Sequence, residues 1–523
     1  MLSRIYSAGT CGIDGYEVIV ECSARDRLGD FELVGLPDAA VKEAKERVKC
    51  ACENSGFMFP SMEIMVNLAP ANIKKEGTSF DVAILAAIMQ CDGVIPRSLS
   101  FEDKCIVGEL SLSGEVRAVS GVLCMAIKAK EMGKKEIFVP VQNATEASVV
   151  EGITVYGINS FSELVRHLKG EITLAQTVYD KSLFFSEYGK FELDFSDVRG
   201  QYSAKRALEV AAAGGHNILL IGPPGSGKSM LAKRLPTILP DMTFDEAIET
   251  TKVHSVMGML NSNLITERPF RSPHHTVSVA GLVGGGVNPK PGEISLANNG
   301  VLFLDEFPEF GKHIIEAMRQ PLEDGAVTVT RLNSRTRYPS SFMLVCAMNP
   351  CPCGYYGDTT RRCTCHPSAI KKYLSKISGP MLDRIDIHVE LPRVSFDELR
   401  DAEPDGDTSA QIRERVNAAR ELSHRRHEKL GLKKKCNAQL SSKDIRIACE
   451  MEESAQKLLH DAFDRLAMSA RAYDRIVRVA RTIADLDGSE IIKITHVAEA
   501  IRYRSLDKKY WEHGASPAQD EME

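Results

Sequence analysis

One octapeptide constrains the fold of this chain more than any other feature. Gly222-Pro-Pro-Gly-Ser-Gly-Lys-Ser229 matches G-x-x-x-x-G-K-[ST], directly after the apolar run Ile218-Leu-Leu-Ile221 and directly before a helical pattern. A strand apolar at every position belongs to a parallel sheet covered on both faces. The glycines let the backbone fold around a phosphate, with its N–H groups and the helix N-terminus turned toward the anion. Gly222, Pro223, Pro224, Gly225, Ser226 and Gly227 form the loop of this reading, and Met230 lies in the helix behind it. Lys228 is then placed to reach the β- and γ-phosphates of a nucleotide, and the Ser229 hydroxyl to bind Mg²⁺.

The rest of the chain supplies the partners such a loop needs. Val301-Leu-Phe-Leu304 is a second apolar strand, ended by Asp305 and Glu306. The first carboxylate suits the Mg²⁺ shell and the second the polarisation of an attacking water. Asn349 follows the strand Phe342–Met348, placed to orient that water or the γ-phosphate. Arg384, between a helix Ala369–Ile377 and a strand Ile385–Leu391, suits an arginine finger that neutralises transition-state charge across a subunit boundary. Its plain alternative is an ion pair with Asp383 or Asp386. Arg471 opens a helix in Ser469-Ala-Arg-Ala-Tyr473 and can reach a nucleotide at a domain junction, the alternative being a surface ion pair.

At 523 residues the chain is long enough for roughly two to four domains. Residues 1–168 alternate short apolar runs (Tyr16–Cys22, Ile64–Leu68, Ile106–Val107, Ile137–Val139) with helical spacing (Ala39–Asn54, Ser79–Gln90, Val122–Met132), an α/β or α+β module. A linker is expected at 169–196, a parallel-sheet module at 197–398, an all-helical region at 399–513 and a flexible tail at 514–523. Within these, the pattern predicts helices over Lys312–Leu322, Ser441–Ala467 and Ala470–Asp485, and a hairpin over Val327–Tyr338. The fold class is therefore α/β and multidomain. With 65 Lys and Arg against 71 Asp and Glu the net charge is −6, so any nucleic-acid site must be a local patch. No leader pattern opens the chain and no run of 18 apolar residues interrupts it, so a cytoplasmic protein without membrane contact is expected.

These residues resemble the ComM/YifB family of magnesium-chelatase-like AAA+ ATPases over almost the whole chain. The resemblance is carried by Asn67–Asn72, Gly222–Ser229, Arg271-Ser-Pro-His-His-Thr276, Gly281–Gly286, Gly292-Glu-Ile294, Val301–Glu306, Gly379–His388 and Ser469–Tyr473. It implies a Lon-protease-like α+β N-terminal domain, an AAA+ core with inserted hairpins and a helical C-terminal lid. It also implies hexameric rings, ATP with Mg²⁺ as cofactors, and ATP-driven branch migration of DNA in recombination and transformation, with accessory recombination proteins as further partners. In its terms Lys228 and Ser229 are Walker A residues, Asp305 and Glu306 Walker B, Asn349 sensor 1, Arg384 the arginine finger and Arg471 sensor 2. Lon-type proteolysis needs a serine activated by a lysine base. Ser79 falls at the serine, but Leu123 falls at the lysine, so protease activity is not expected. A magnesium chelatase subunit is expected to lack the Lon-like domain. A protein-remodelling ATPase without DNA activity is the runner-up.

Phosphate contacts require Lys or Arg. The Val327–Tyr338 hairpin carries Arg331, Arg335 and Arg337 near its tip, and the Gly281–Gly292 segment carries Lys290. A solvated hairpin or a subunit contact is the plain reading of the same pattern. His274 and His275 beside Pro273 read as a structural pair, and the basic stretch Arg425–Lys435 as a charged connection. Of the fourteen cysteines, Cys351, Cys353, Cys363 and Cys365 form two C-x-C pairs that fit a Cys₄ zinc knuckle, with His366 as a possible substitute ligand.

Overall fold

Strands without a polar position need cover on both faces, and the sequence places helices between them to supply it. The structure, a computed structural model, describes residues 1–27, 29–182, 191–260, 264–286, 289–331, 334–358, 360–393, 406–465, 468–506 and 508–512. Part of the expected linker, the expected boundary at 398–399 and the tail at 514–523 lie outside the described residues. Contacts divide the chain into two units. One comprises Met1–Ser186 with Phe244–Thr266 and Thr328–Tyr338; the other comprises Glu187–Thr243, Glu267–Val327 and Pro339–Glu523.

The second unit is built on a five-stranded parallel sheet in the order Phe270–Arg271, Val301–Leu304, Met343–Met348, Ile218–Ile221, Ile387–Glu390. The strand that feeds the phosphate loop is thus flanked on both sides, next to the central strand Met343–Met348, and its register pairs Ile221 with Met348 and with Glu390. All residues of the strands Ile218–Ile221, Val301–Leu304 and Met343–Met348 are buried. The alanine-rich helix Tyr202–Gly214 packs close to this sheet and ends at Gly215 in the left-handed region, φ 70°. The C-terminal helices Ser409–Lys429, Glu453–Arg465, Ala470–Leu486 and Ile494–Arg502 send Ile412, Leu459, Ile476 and Val497 into the same core as Ile218, Val345 and Ile387. Sheet and helical region therefore share one hydrophobic interior.

Two long helices of the sequence reading are interrupted. Lys312–Leu322 is two short helices, Lys312–Ala317 and Arg319–Asp324. Pro321 has no N–H to offer Ala317, which breaks the ladder there. Ser441–Ala467 divides into Ser442–Ala448 and Glu453–Arg465, because Met451 leaves the helix to bridge Ile492. The basic stretch is not wholly a connection: its first five residues, Arg425–Lys429, end the helix Ser409–Lys429, where Arg426 grips Asp485 through both nitrogens at 2.6 and 2.7 Å.

The first unit has two four-stranded sheets. One runs Leu2–Cys11, Asp14–Arg25, Glu63–Ala69, Phe31–Val34; the other Gln176–Thr177, Thr154–Ile158, Glu136–Pro140, Lys104–Ile106. The helix Asp81–Asp92, buried from Asp81 to Cys91, fills the core against the first sheet. Two segments that follow the phosphate loop in sequence join this unit. Ser255, in the helix Phe244–Val256, bonds Glu146 and accepts from the Gly121 N–H at 3.0 Å. Thr336 of the hairpin packs so tightly on the turn at Gly12, φ 63°, that a Cβ there would lie 2.1 Å from its methyl.

Candidate nucleotide site

The site assembles at the C-terminal edge of the parallel sheet, where the strand order about Ile218–Ile221 opens a crevice. Gly225 and Gly227 take φ of 78° and 89°, so the loop turns back over the strand end. Behind it, Gln201, itself at φ 57°, donates to the carbonyl oxygens of Ser226 (3.2 Å) and Pro392 (2.7 Å) and ties the loop to the chain leaving the last strand. Nothing in the sequence pattern singled out Gln201.

Lys228 is buried, and its ammonium donates to the carbonyls of Gly222 (2.8 Å) and Pro223 (2.9 Å) and to Asn349 Oδ1 (3.3 Å). Burial lowers its pKa to about 8, with Asp305 opposing the shift. The Ser229 hydroxyl donates to Asp305 Oδ2 at 2.6 Å. The Walker A lysine and serine, the Walker B aspartate and the sensor asparagine expected from sequence thus lie on one connected set of contacts. Met230 is exposed one residue beyond.

Glu306 projects beside this set. It takes the left-handed conformation, φ 51°, unusual for a residue with a Cβ, and its side chain is exposed. His275 Nδ1 approaches its carboxylate at 3.5 Å, and the His274 ring lies against His275 with centroids 4.0 Å apart. The histidine pair, expected to be structural, flanks the candidate base. Arg271 holds Glu293 through two bonds of 2.7 and 2.8 Å, which joins Arg271–Thr276 to Gly292–Ile294.

The arginines are engaged within the chain. Arg384 pairs with Glu323 and donates to the Pro380 carbonyl at 2.7 Å; burial, with Arg319 and Arg471 nearby, lowers its pKa. Asp383 and Asp386 serve other partners: Asp383 faces Arg471 (3.7 Å) and Arg475 (3.5 Å), and Asp386 faces His216 (3.1 Å). Arg471 is largely exposed.

Of the candidate DNA residues, Arg335 and Arg337 are exposed and alternate with buried Thr336 and Tyr338. The Arg331 side chain lies outside the described residues. Lys290 is exposed on a two-stranded ribbon, Gly284–Gly285 with Lys290–Pro291. Cys351, Cys353, Cys363 and Cys365 converge with their sulfurs within 4.8 Å of one another. His366 instead caps the helix Pro367–Leu374, its Nδ1 accepting from the Ser368 N–H. No helix among the described residues is long and apolar enough to cross a membrane.

Residues 194–399 match the family model described as magnesium chelatase, subunit ChlI; residues 20–143 and 406–504 match the models of subunit ChlI of Mg-chelatase and its C-terminal part. The chain is 44% identical over 513 residues to competence protein ComM of Haemophilus influenzae, covering 97% of this chain and 98% of that one. It is 39% identical over 511 residues to the uncharacterized protein YifB of Escherichia coli, again covering 97% and 98%. The magnesium-chelatase 38 kDa subunit of Rhodobacter capsulatus is 29% identical over 177 residues, 30% of this chain and 50% of that one. The chain belongs to the ComM/YifB family of magnesium-chelatase-like AAA+ ATPases.

Proposed function

We propose that this protein is an Mg²⁺-dependent ATPase that works as a homo-hexameric ring on DNA, driving branch migration of recombination intermediates in homologous recombination and natural transformation. The observation that carries the ATPase reading is the contact set Ser229–Asp305, Lys228–Asn349 and Lys228 with the loop carbonyls. Two hard oxygens 2.6 Å apart fit Mg²⁺, and a buried ammonium beside a glycine loop fits a triphosphate. The ion, when bound, screens phosphate charge. Lys228 exchanges loop carbonyls for phosphate oxygens, Asn349 orients, and Glu306 accepts the proton of the attacking water. Arg384, released from Glu323, stabilises transition-state charge at a neighbouring subunit, and Arg471 senses the nucleotide from the lid.

The name of the Haemophilus relative, a competence protein, supports DNA as the substrate. Arg335, Arg337 and Lys290 are its candidate contacts, joined by Arg331. The N-terminal unit is read as a Lon-like fold without proteolysis, since Leu123 stands fully buried where a lysine base is required. The chelatase relatives match only half of their own length, which weighs against metal insertion into a porphyrin. The deciding experiment measures ATP turnover with single-stranded, duplex, forked and four-way DNA at stated salt. Stimulation by branched DNA is expected; no stimulation by any DNA would make this a protein-remodelling ATPase.

A further inference from the structure

The cysteine loop gathers four sulfurs within 4.8 Å of one another, and it lies against the phosphate loop. Cys351 Sγ lies 3.4 Å from Cys353 Sγ and 3.7 Å from Cys363 Sγ, and Cys353 and Cys363 are 3.5 Å apart. Tetrahedral zinc with Zn–S bonds of about 2.3 Å places its sulfurs about 3.8 Å from each other. All four thiols are free, so the cluster is not a pair of disulfides. Backbone N–H groups already point at the sulfurs: Cys353 N–H to Cys365 Sγ (3.3 Å) and Cys365 N–H to Cys363 Sγ (3.4 Å), the outer hydrogen bonds that steady thiolate ligands. From Cys351 to His366 no described residue is in a helix or strand, so no regular backbone ladder fixes this segment.

Its contacts lead straight to the nucleotide loop. Gly354, between the two cysteine pairs, has φ 86°, and a Cβ there would sit 2.5 Å from Pro224 Cδ. The cysteine loop thus rests on the third residue of the phosphate loop. Asn349, which holds Lys228, precedes the first ligand by two residues. On the other flank the Tyr356 ring meets Tyr510 edge-on at 6.3 Å, and the Tyr510 hydroxyl donates to Glu390 at 2.8 Å. Glu390 leads into Leu391, whose carbonyl would be 2.6 Å from a Cβ on Gly222. The segment therefore braces the phosphate loop at Pro224 and, through Glu390, near Gly222.

We propose that Cys351, Cys353, Cys363 and Cys365 bind one Zn²⁺ per chain, and that the bound ion keeps Gly354 against Pro224 so that the phosphate loop is preformed for ATP. The second part rests on reading Gly222–Ser229 as the nucleotide loop. Full-length protein purified without a histidine tag is expected to carry about one equivalent of zinc by mass spectrometry. Less than about half an equivalent overturns the site. The metal is then displaced with a mercurial and the thiols restored with dithiothreitol, with or without Zn²⁺. Fluorescent ATP is expected to bind about tenfold more weakly without metal and to recover only with Zn²⁺. Recovery with thiol alone, circular dichroism being the same, overturns the clamp.

Two variants separate the layers. Gly354→Ala should keep its zinc yet lose ATP affinity, because the new methyl displaces Pro224 and φ 86° strains the turn beside it; unchanged affinity would refute the Gly354–Pro224 route. Lys228→Ala should keep its zinc and lose ATP. Zinc-loaded wild type that binds no ATP would instead refute the nucleotide reading, leaving the metal count standing.

Discussion

Both units preserve a loop that the family resemblance marks as reactive, and only one surrounds it with the partners its chemistry needs. In the second unit Lys228 bonds Asn349 and Ser229 bonds Asp305, and the lysine is held charged-side inward at the cost of a lowered pKa. In the first unit Ser79 is buried, but the lysine position holds Leu123, fully buried, whose N–H donates to Glu146 at 2.9 Å. Glu146 also bonds Asn143 (3.1 Å) and Ser255, so its oxygens serve structure. An aliphatic side chain satisfies such a core, where a buried ammonium would need a partner.

The sharpest way to break this comparison is to remove one residue from each loop. Lys228→Ala should lower ATP turnover by about 10³-fold or more by removing the cation that meets the phosphates. Ser79→Ala should leave turnover unchanged, and neither protein should degrade casein. Casein cleavage by wild type that vanished with Ser79→Ala would place a protease in the first unit. Next in size is Glu306→Gln, expected to slow hydrolysis about 100-fold while ATP stays bound and the ring becomes more stable. Normal turnover would mean that another group takes the proton. Leu123→Ala tests the other side: emptying a fully buried site should cost about 2–5 kcal/mol, read as an earlier melting transition.

The nucleotide half was the more legible because its signals are local. An apolar tetrapeptide before a glycine loop leaves little choice of structure, and Val301–Leu304 appears with the bounds its pattern predicts. The first strand, Leu2–Cys11, has no apolar run to announce it: Ser3 and Ser7 face inward, and the Ser3 hydroxyl is satisfied by the Ala87 carbonyl at 2.7 Å. Contacts distant in sequence were also hidden. Neither the Arg384–Glu323 pair nor the approach of His275 to Glu306 has a spacing rule, and Gln201 acts through side-chain bonds to Ser226 and Pro392 that no motif encodes. The four cysteines were visible as a candidate ligand set, but their closeness to Pro224 needed Gly354 in three dimensions.

The lowered pKa gives a smaller effect with a definite sign. Lys228 loses its proton near pH 8 when folded and near about 10.4 when unfolded. Between these values the folded protein binds fewer protons than the unfolded one, so nucleotide-free stability rises with pH. ATP requires the ammonium, so its affinity should fall across the same window, by at most about tenfold per pH unit. Lys228→Arg, charged throughout, should show no such decline if it binds ATP at all. A flat wild-type profile would mean that the ammonium is not the phosphate partner.

The smallest expected change concerns the hairpin that joins the first unit. Thr336 and Tyr338 are committed to packing there, whereas Arg335 and Arg337 remain exposed, so replacing both arginines with alanine should leave the fold and the DNA-free ATPase rate intact. If the pair contacts phosphates, each loss should reduce the slope of log affinity against log salt by about one, and DNA stimulation should drop a few-fold at moderate salt. Lys290→Ala provides the comparison from the second unit, with an expected slope change of about one. An unchanged salt slope in the double variant, with Lys290→Ala still effective, would assign DNA binding to the second unit alone and leave the hairpin as a packing element of the first.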